Sequence, residues 1–229
     1  MRRHTTFAFA LTALAALPLT GCSGDNSSSS HASPKATSTT PRREDATTAP
    51  LSSAALNKRL LTVKDLGEGY VRKAAPIQRN DDVTVIGCPA LDKLGSESAT
   101  GVSLSFPRRA KTAFTYSGRS NSEVSEHLYS GAARTLSDGV GNIFDAMASC
   151  PTYQVVAGTT AIDMTTQTTT APDLGEEQWS QLLTYSASGQ RTVVKQTAIR
   201  TGTVVVIVSG SPALVDAHLG KALTKARTR

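Results

Sequence analysis

Aromatic residues make up only 5% of this 229-residue chain, with a single tryptophan, and there are four histidines and three cysteines. No Lys/Arg run is longer than the pairs Lys58-Arg59, Arg72-Lys73 and Arg108-Arg109. Nucleic-acid surfaces combine clustered cations with stacking rings, so nucleic acid is excluded as a partner. Gly-x-Ser-x-Gly and Ser-x-x-Lys are both missing, which removes the usual settings for an activated serine. Neither Cys-x-x-Cys nor His-x-x-x-His occurs, so no metal is expected. Gly139-Val140-Gly141 lacks the flanking pattern of a phosphate loop and follows a helical stretch, not a strand. No catalytic residue and no cofactor are expected, and an enzyme is the least favoured class.

The N-terminus is informative. Met1-Arg2-Arg3-His4 is a short cationic segment, and Phe7 to Leu19 is an apolar run too short to cross about 30 Å of hydrocarbon. Together they read as a signal peptide over residues 1–21. It ends in Leu19-Thr20-Gly21-Cys22, which resembles the bacterial lipobox. The thiol of Cys22 then takes a diacylglyceryl group, and membrane lipid becomes the first partner of the chain. Ordinary secretion with a free Cys22 thiol is the competing reading. Each methylene of an acyl chain placed in the bilayer contributes about 0.8 kcal/mol, so two or more chains hold a protein firmly. Residues 22–50, rich in Ser, Thr and Pro, contain almost nothing that can pack a core and read as a disordered tether. A coil of that length has a root-mean-square span of roughly 30 Å.

Residues 51–229 are left to fold as one domain. They carry 19 Lys/Arg against 15 Asp/Glu, a net charge of +4. That mild excess suits anionic headgroups or cell-wall polymers. Once Cys22 is assigned to lipid, Cys88 and Cys150 remain, and outside the cytosol such a pair is expected to be oxidised to a disulfide. Two buried free thiols are the other possibility.

Leu51 to Val63 carries apolar or small residues at helical spacing and reads as a first helix, ended by Gly67-Glu68-Gly69. Val83 to Ile86 is a short β-prone run. Cys88-Pro89 then opens a short helix through Leu94, with proline in its first turn. Val102, Leu104 and Phe106 alternate, as do Phe114 and Tyr116, and suggest a hairpin. Ser120 and Glu123 match a capping box, and Val124, Leu128, Ala132 and Leu136 trace a helical stripe. A break at Asp138-Gly139 precedes a second stripe of Val140, Ile143, Phe144 and Met147. Five strands follow, over 153–157, 161–170, 178–186, 191–200 and 204–208, separated by turns short enough for a meander. Val204 to Val208 is apolar throughout and belongs in the centre, covered on both faces. Ser211-Pro212 caps a final helix. The fold class is α+β: an antiparallel meander sheet of about five to six strands with helices packed on one side.

Several polar residues have a functional reading and a plainer one. His127 is a candidate base or ligand, but a solvated helix face is favoured; His218, on an apolar stripe, is favoured as a core or boundary residue. Asp81-Asp82 and Glu176-Glu177 are adjacent carboxylates that in a strand point to opposite faces and cannot share one proton site; turn or edge charges are favoured. Trp179 and Tyr185 could line a groove, though core packing is favoured.

Three motifs and the late strands carry a family resemblance. They are Leu60 to Tyr70 (Leu-Leu-Thr-Val-Lys-Asp-Leu-Gly-Glu-Gly-Tyr), Cys88-Pro89-Ala90-Leu91, and Phe144 to Pro151 (Phe-Asp-Ala-Met-Ala-Ser-Cys-Pro). The domain resembles the extracellular sensor domain of the mycobacterial serine/threonine kinase PknH and related actinobacterial lipoproteins. The resemblance implies a sheet-and-helix domain with a cleft for a small extracellular ligand. The chain departs in having one cysteine pair where the kinase domain has two, and in lacking a kinase segment and a transmembrane helix. The leading expectation is a non-enzymatic sensor or binding lipoprotein on the outer face of the cell membrane, with a small-molecule, glycan or protein ligand. The second is a lipid-carrying or structural envelope lipoprotein.

Overall fold

The computed structural model describes residues 49–74, 83–95, 106–118 and 122–228. The signal, most of the tether, Asp81-Asp82, Val102, Leu104 and Ser120 lie outside the described residues. The elements run α1 (Ser53–Arg59), α2 (Val63–Leu66), β1 (Tyr70–Arg72), β2 (Val83–Ile86), α3 (Pro89–Leu94), β3 (Arg108–Tyr116), β4 (Ser122–Ser130) and α4 (Ala133–Ser149). There follow β5 (Thr152–Ala157), β6 (Thr160–Thr168), β7 (Glu177–Ala187), β8 (Gln190–Thr201), β9 (Val204–Gly210) and α5 (Pro212–Arg227).

The strands form one antiparallel sheet in the order β1-β3-β4-β9-β8-β7-β6-β5-β2. It has nine strands, not five or six. The meander β5 to β9 is present as expected, and β9 lies in the sheet's interior. Its residues 204–209 are all buried because alternate side chains enter two different cores. Val205 and Ile207 pack with Tyr129, Ala198 and Leu183 under Leu136, Val140, Phe144 and Met147 of α4. Val204, Val206 and Val208 pack with Phe114, Leu128 and Ile199 against Leu56 of α1 and Val215, Leu219 and Leu223 of α5. Helices therefore cover both faces of the sheet. Helices were expected on one side only; β9, expected to be covered on both faces, is covered so because helices lie on both.

The stretch expected to be a helix from Ser120 to Leu136 is mostly strand. Residues 122–130 pair with β3 through Arg108↔Ser130 and with β9 through Ser130↔Val204. The inward positions on the α5 face are Val124, Glu126 and Leu128, and the charged middle residue hid the two-residue period. Phe114 and Tyr116 thus sit in a hairpin, with β4 as the paired strand. Helix α4 begins at Ala133 and runs through Asp138-Gly139 without a break. Glycine there serves a close approach: a Cβ on Gly139 would lie 2.6 Å from Cζ of Phe106. The helix expected over residues 51–63 is two helices. Ser52 caps α1 by accepting from the Ala55 N–H at 3.2 Å. Buried Leu60 and Leu61 turn the chain, and a Thr62–Asp65 capping box starts α2.

Cys88 and Cys150 form a disulfide with Cα atoms 5.6 Å apart. Cys88 precedes α3 and Cys150 ends α4, so the bond ties the segment after edge strand β2 to the helix covering the sheet. Closing a loop of sequence separation 62 stabilises the fold by about 4 kcal/mol on the chain-entropy account. Replacing both cysteines by alanine should lower unfolding free energy by about that amount in denaturant titrations. The loss should match the effect of reductant on the parent protein.

Candidate functional site

Strand β8 extends past the end of β9: Lys195 pairs with Gly210, and residues 190–194 continue beyond it with only β7 alongside. Across the gap, β4 begins at Ser122. The chain leaves β9 here because Gly210, at φ 149°, lies flush against β4, where a Cβ would come within 2.1 Å of the Glu123 carbonyl oxygen. The Ser211 N–H donates to that same oxygen at 2.9 Å. The result is an open groove of about 490 Å³ between the ends of β4 and β8, floored by Ala113, Ser125 and Ser209.

The groove is lined mainly by hydroxyls and small apolar groups. Ser125 Oγ donates to the Ser209 carbonyl at 3.2 Å. Ser209 is 6% exposed, and its own Oγ has no partner among the described residues. Such an orphan is costly unless something else bonds it. A polar row continues inward from it, since Ser209 pairs in register with Gln196 and Gln196 with Gln181. Gln181 Nε2 donates to Gln196 Oε1 at 2.9 Å beneath Met147 of α4. At the outer wall Lys73 Nζ meets Glu123 Oε1 at 2.5 Å, with both side chains about half exposed. The arrangement fits a ligand that exchanges hydrogen bonds with hydroxyls.

His127 sits on β4, not on a helix, two residues from Ser125 on the same face. It is half-buried, and its Nδ1 lies 3.3 Å from the Tyr129 hydroxyl. Burial, reinforced by Lys111 and Arg109, pushes its pKa down to about 4, so the ring is neutral near pH 7. His218 is a boundary residue on α5, its Nε2 2.6 Å from the Tyr70 hydroxyl. Burial, then Lys221, lowers its pKa. Among the described residues neither histidine bonds a serine or a carboxylate, so no nucleophile–base pair is assembled. Trp179 and Tyr185 pack against the core beneath α4; Trp179 lies 6.2 Å from Phe144, centroid to centroid. No cluster of metal-ligating side chains occurs among the described residues.

Glu176 and Glu177, at the start of β7, share no proton, but they converge on one cation where strand alternation alone would part them. Glu176 precedes β7, so strand alternation does not apply to it, and both carboxylates reach one guanidinium. Arg200 Nη1 and Nε donate to Glu176 and Glu177, each at 2.6 Å. The Gly202 N–H and Arg200 hold the Glu176 carboxyl below its ordinary range, and Arg200 does the same for Glu177. Ser137 Oγ donates to Glu177 at 3.0 Å, which ties α4 to the sheet.

Sequence reasoning missed Glu126. It is 1% exposed on the opposite face of β4 from His127; Oε2 accepts from the Leu61 N–H at 2.6 Å and Oε1 has no partner among the described residues. Burial raises its pKa to about 7 against the Leu61 N–H and Lys225, with Asp65 adding to the rise. Its only sequence signal was a charge at an inward strand position.

No protein-family model matches the sequence, and no curated protein matches it either. A solved structure does: the extracellular domain of PknH from Mycobacterium tuberculosis aligns over 80% of this chain and 100% of its own, with a TM-score of 0.60 and 14% identity. The two share a fold. At that identity the likeness carries architecture, and Cys88–Cys150 fits beside it as the chain's own disulfide.

Glu126 and His127 oppose each other in pH. The carboxyl binds its proton more tightly when folded, so its contribution falls as pH rises from about 4.5 to about 7. The imidazole binds its proton less tightly when folded, so its contribution rises from about pH 4 to 6.5. Each swing is on the order of 3 kcal/mol. Thermal melts of the parent should change little between pH 4.5 and 6.5. Glu126→Gln should become more stable with rising pH across that window, and His127→Asn less stable.

Proposed function

We propose that this chain is an exported lipoprotein, acylated at Cys22 and held on the outer face of the cytoplasmic membrane, whose domain is a non-enzymatic sensor or ligand-capture module. The observation that carries the reading is the fold, shared over 80% of this chain with the whole of a domain described as extracellular. The lipobox at Leu19 to Cys22 and the Cys88–Cys150 disulfide point to the same compartment. No described helix is long and apolar enough to cross a membrane; in this reading acyl chains on Cys22 hold the protein at the bilayer. The groove between β4 and β8 is the ligand site in this reading, because it joins a buried, unpartnered hydroxyl to a row of buried amides.

Intact-mass analysis of the protein from its host's membranes should show acyl groups on a chain beginning at Cys22. Cys22→Ala should move it from the membrane fraction to the soluble one. Native mass spectrometry of the same material should retain a small polar molecule, and Ser209→Val should weaken that retention roughly tenfold or more through one lost buried hydrogen bond. A retained lipid would support the carrier reading instead. A chain without acyl mass would refute the anchor.

A further inference from the structure

The place where the chain enters the domain is strongly cationic. The Leu51 N–H donates to Ser130 Oγ at 2.8 Å, and Ser130 is the register partner of Arg108. The Arg109 N–H donates to Ser53 Oγ at 3.1 Å, which sets the first turn of α1 beside the Arg108–Arg109 pair. At the far end of that short helix, Arg59 Nη1 donates to the Ala226 carbonyl at 2.9 Å, which sets Arg59 beside the end of α5 that carries Arg227, with Lys58 next to it in the chain. Five cations thus surround the first turns of the domain: Lys58, Arg59, Arg108, Arg109 and Arg227. None is ion-paired to a carboxylate among the described residues, and all but Arg59 are exposed.

The carboxylates at this end of the sheet are engaged elsewhere. Glu176 and Glu177 are both bound to Arg200, and Asp138 lies 3.7 Å from Arg134. Glu177 is also four strand spacings from Arg109, roughly 19 Å, which exceeds the screening length of about 8 Å in physiological salt. By contrast, the opposite end, where β4 begins and α5 starts, has its lysines matched: Lys73 with Glu123 and Lys195 with Asp216. Arg72 and Arg191 at that end are exposed and unmatched among the described residues, but they lie on strands four places apart in the sheet, whereas the five cations around Leu51 gather about one point.

We propose that the surface around Leu51 docks on anionic phospholipid headgroups, so that the domain lies with its tether end on the membrane and the groove between β4 and β8 directed away from it. The inference rests on the anchored reading for its orientation, since a tether rooted at Leu51 presents this end to the bilayer. Its chemistry stands apart from acylation. Cations within a screening length of an anionic surface each strengthen attachment roughly fivefold, and five such groups around one point act together. Arg and Lys at this density, with no apolar stripe beside them, fit a charged plane better than a pocket ligand.

The test uses the chain from residue 22 onward carrying Cys22→Ser, so that no acyl group contributes. It should co-sediment with vesicles containing phosphatidylglycerol and not with pure phosphatidylcholine, and the binding should vanish at high salt. Arg108→Glu with Arg109→Glu should reduce binding about 25-fold or more. Lys73→Glu, at the other end and beyond the screening length, should change it less than about twofold. Far-UV circular dichroism and melts confirm that each variant is folded. Equal loss from both ends, or binding to a soluble polyanion but not to vesicles, would overturn the proposal. Acyl mass on Cys22 without vesicle binding sinks the docking surface alone, whereas vesicle binding without acyl mass sinks the anchor alone.

Discussion

The burial of β9 on both faces is the constraint from which the rest of the architecture follows. Five successive apolar residues, Val204 to Val208, send side chains alternately to opposite sides, so neither side can be left to solvent. One side is closed by α4, the other by α1 and α5. At roughly 1.5 to 3 kcal/mol for each fully buried aliphatic side chain, this strand commits the chain to a three-layer arrangement before any polar contact is considered. The β5 to β9 meander brings successive strands alongside by short turns, while β4 must come from a separate hairpin to complete the other flank.

The second half of the chain was legible because its strands are bounded by glycine-bearing turns and rich in β-branched residues. Strands β5 to β9 and helix α5 lie within a residue or three of where pattern alone places them. The first half was harder for definite reasons. Glu126 occupies an inward position in β4, and Val124, Leu128, Ala132 and Leu136 fall four apart, so the stretch imitates a helical stripe. Gly139 imitates a break in α4 because the glycine accommodates the ring of Phe106, a contact invisible in one dimension. The pairing of Cys88 with Cys150 was readable from counting. The groove was not, since it arises where one strand ends sooner than its neighbours.

Two buried ionisable side chains, adjacent in sequence, face opposite layers. Glu126 bonds the segment joining α1 to α2, and His127 faces the α4 side near the groove. Burial favours the neutral form of each, which suits a carboxyl kept protonated and an imidazole kept unprotonated. The Arg200 network differs in kind: two carboxylates and the Gly202 carbonyl satisfy one guanidinium, and Ser137, donating to Glu177, pins α4 where the groove's inner amide row passes beneath it. Polar groups in this domain are thus placed where layers meet.

The position of Leu51 also decides how the domain would bear mechanical load. A pull applied at Pro50 is met first by the Leu51–Ser130 and Arg109–Ser53 hydrogen bonds and by α1, contacts worth about 1 kcal/mol apiece for the bonds. Helix α1 would peel away before the nine-pair ladder of β3 and β4 is strained. The groove, roughly 20 Å along β4 from that point, and the disulfide near the opposite sheet edge both lie off the load path. Under such a pull the chain would lengthen by one helix while the groove kept its shape.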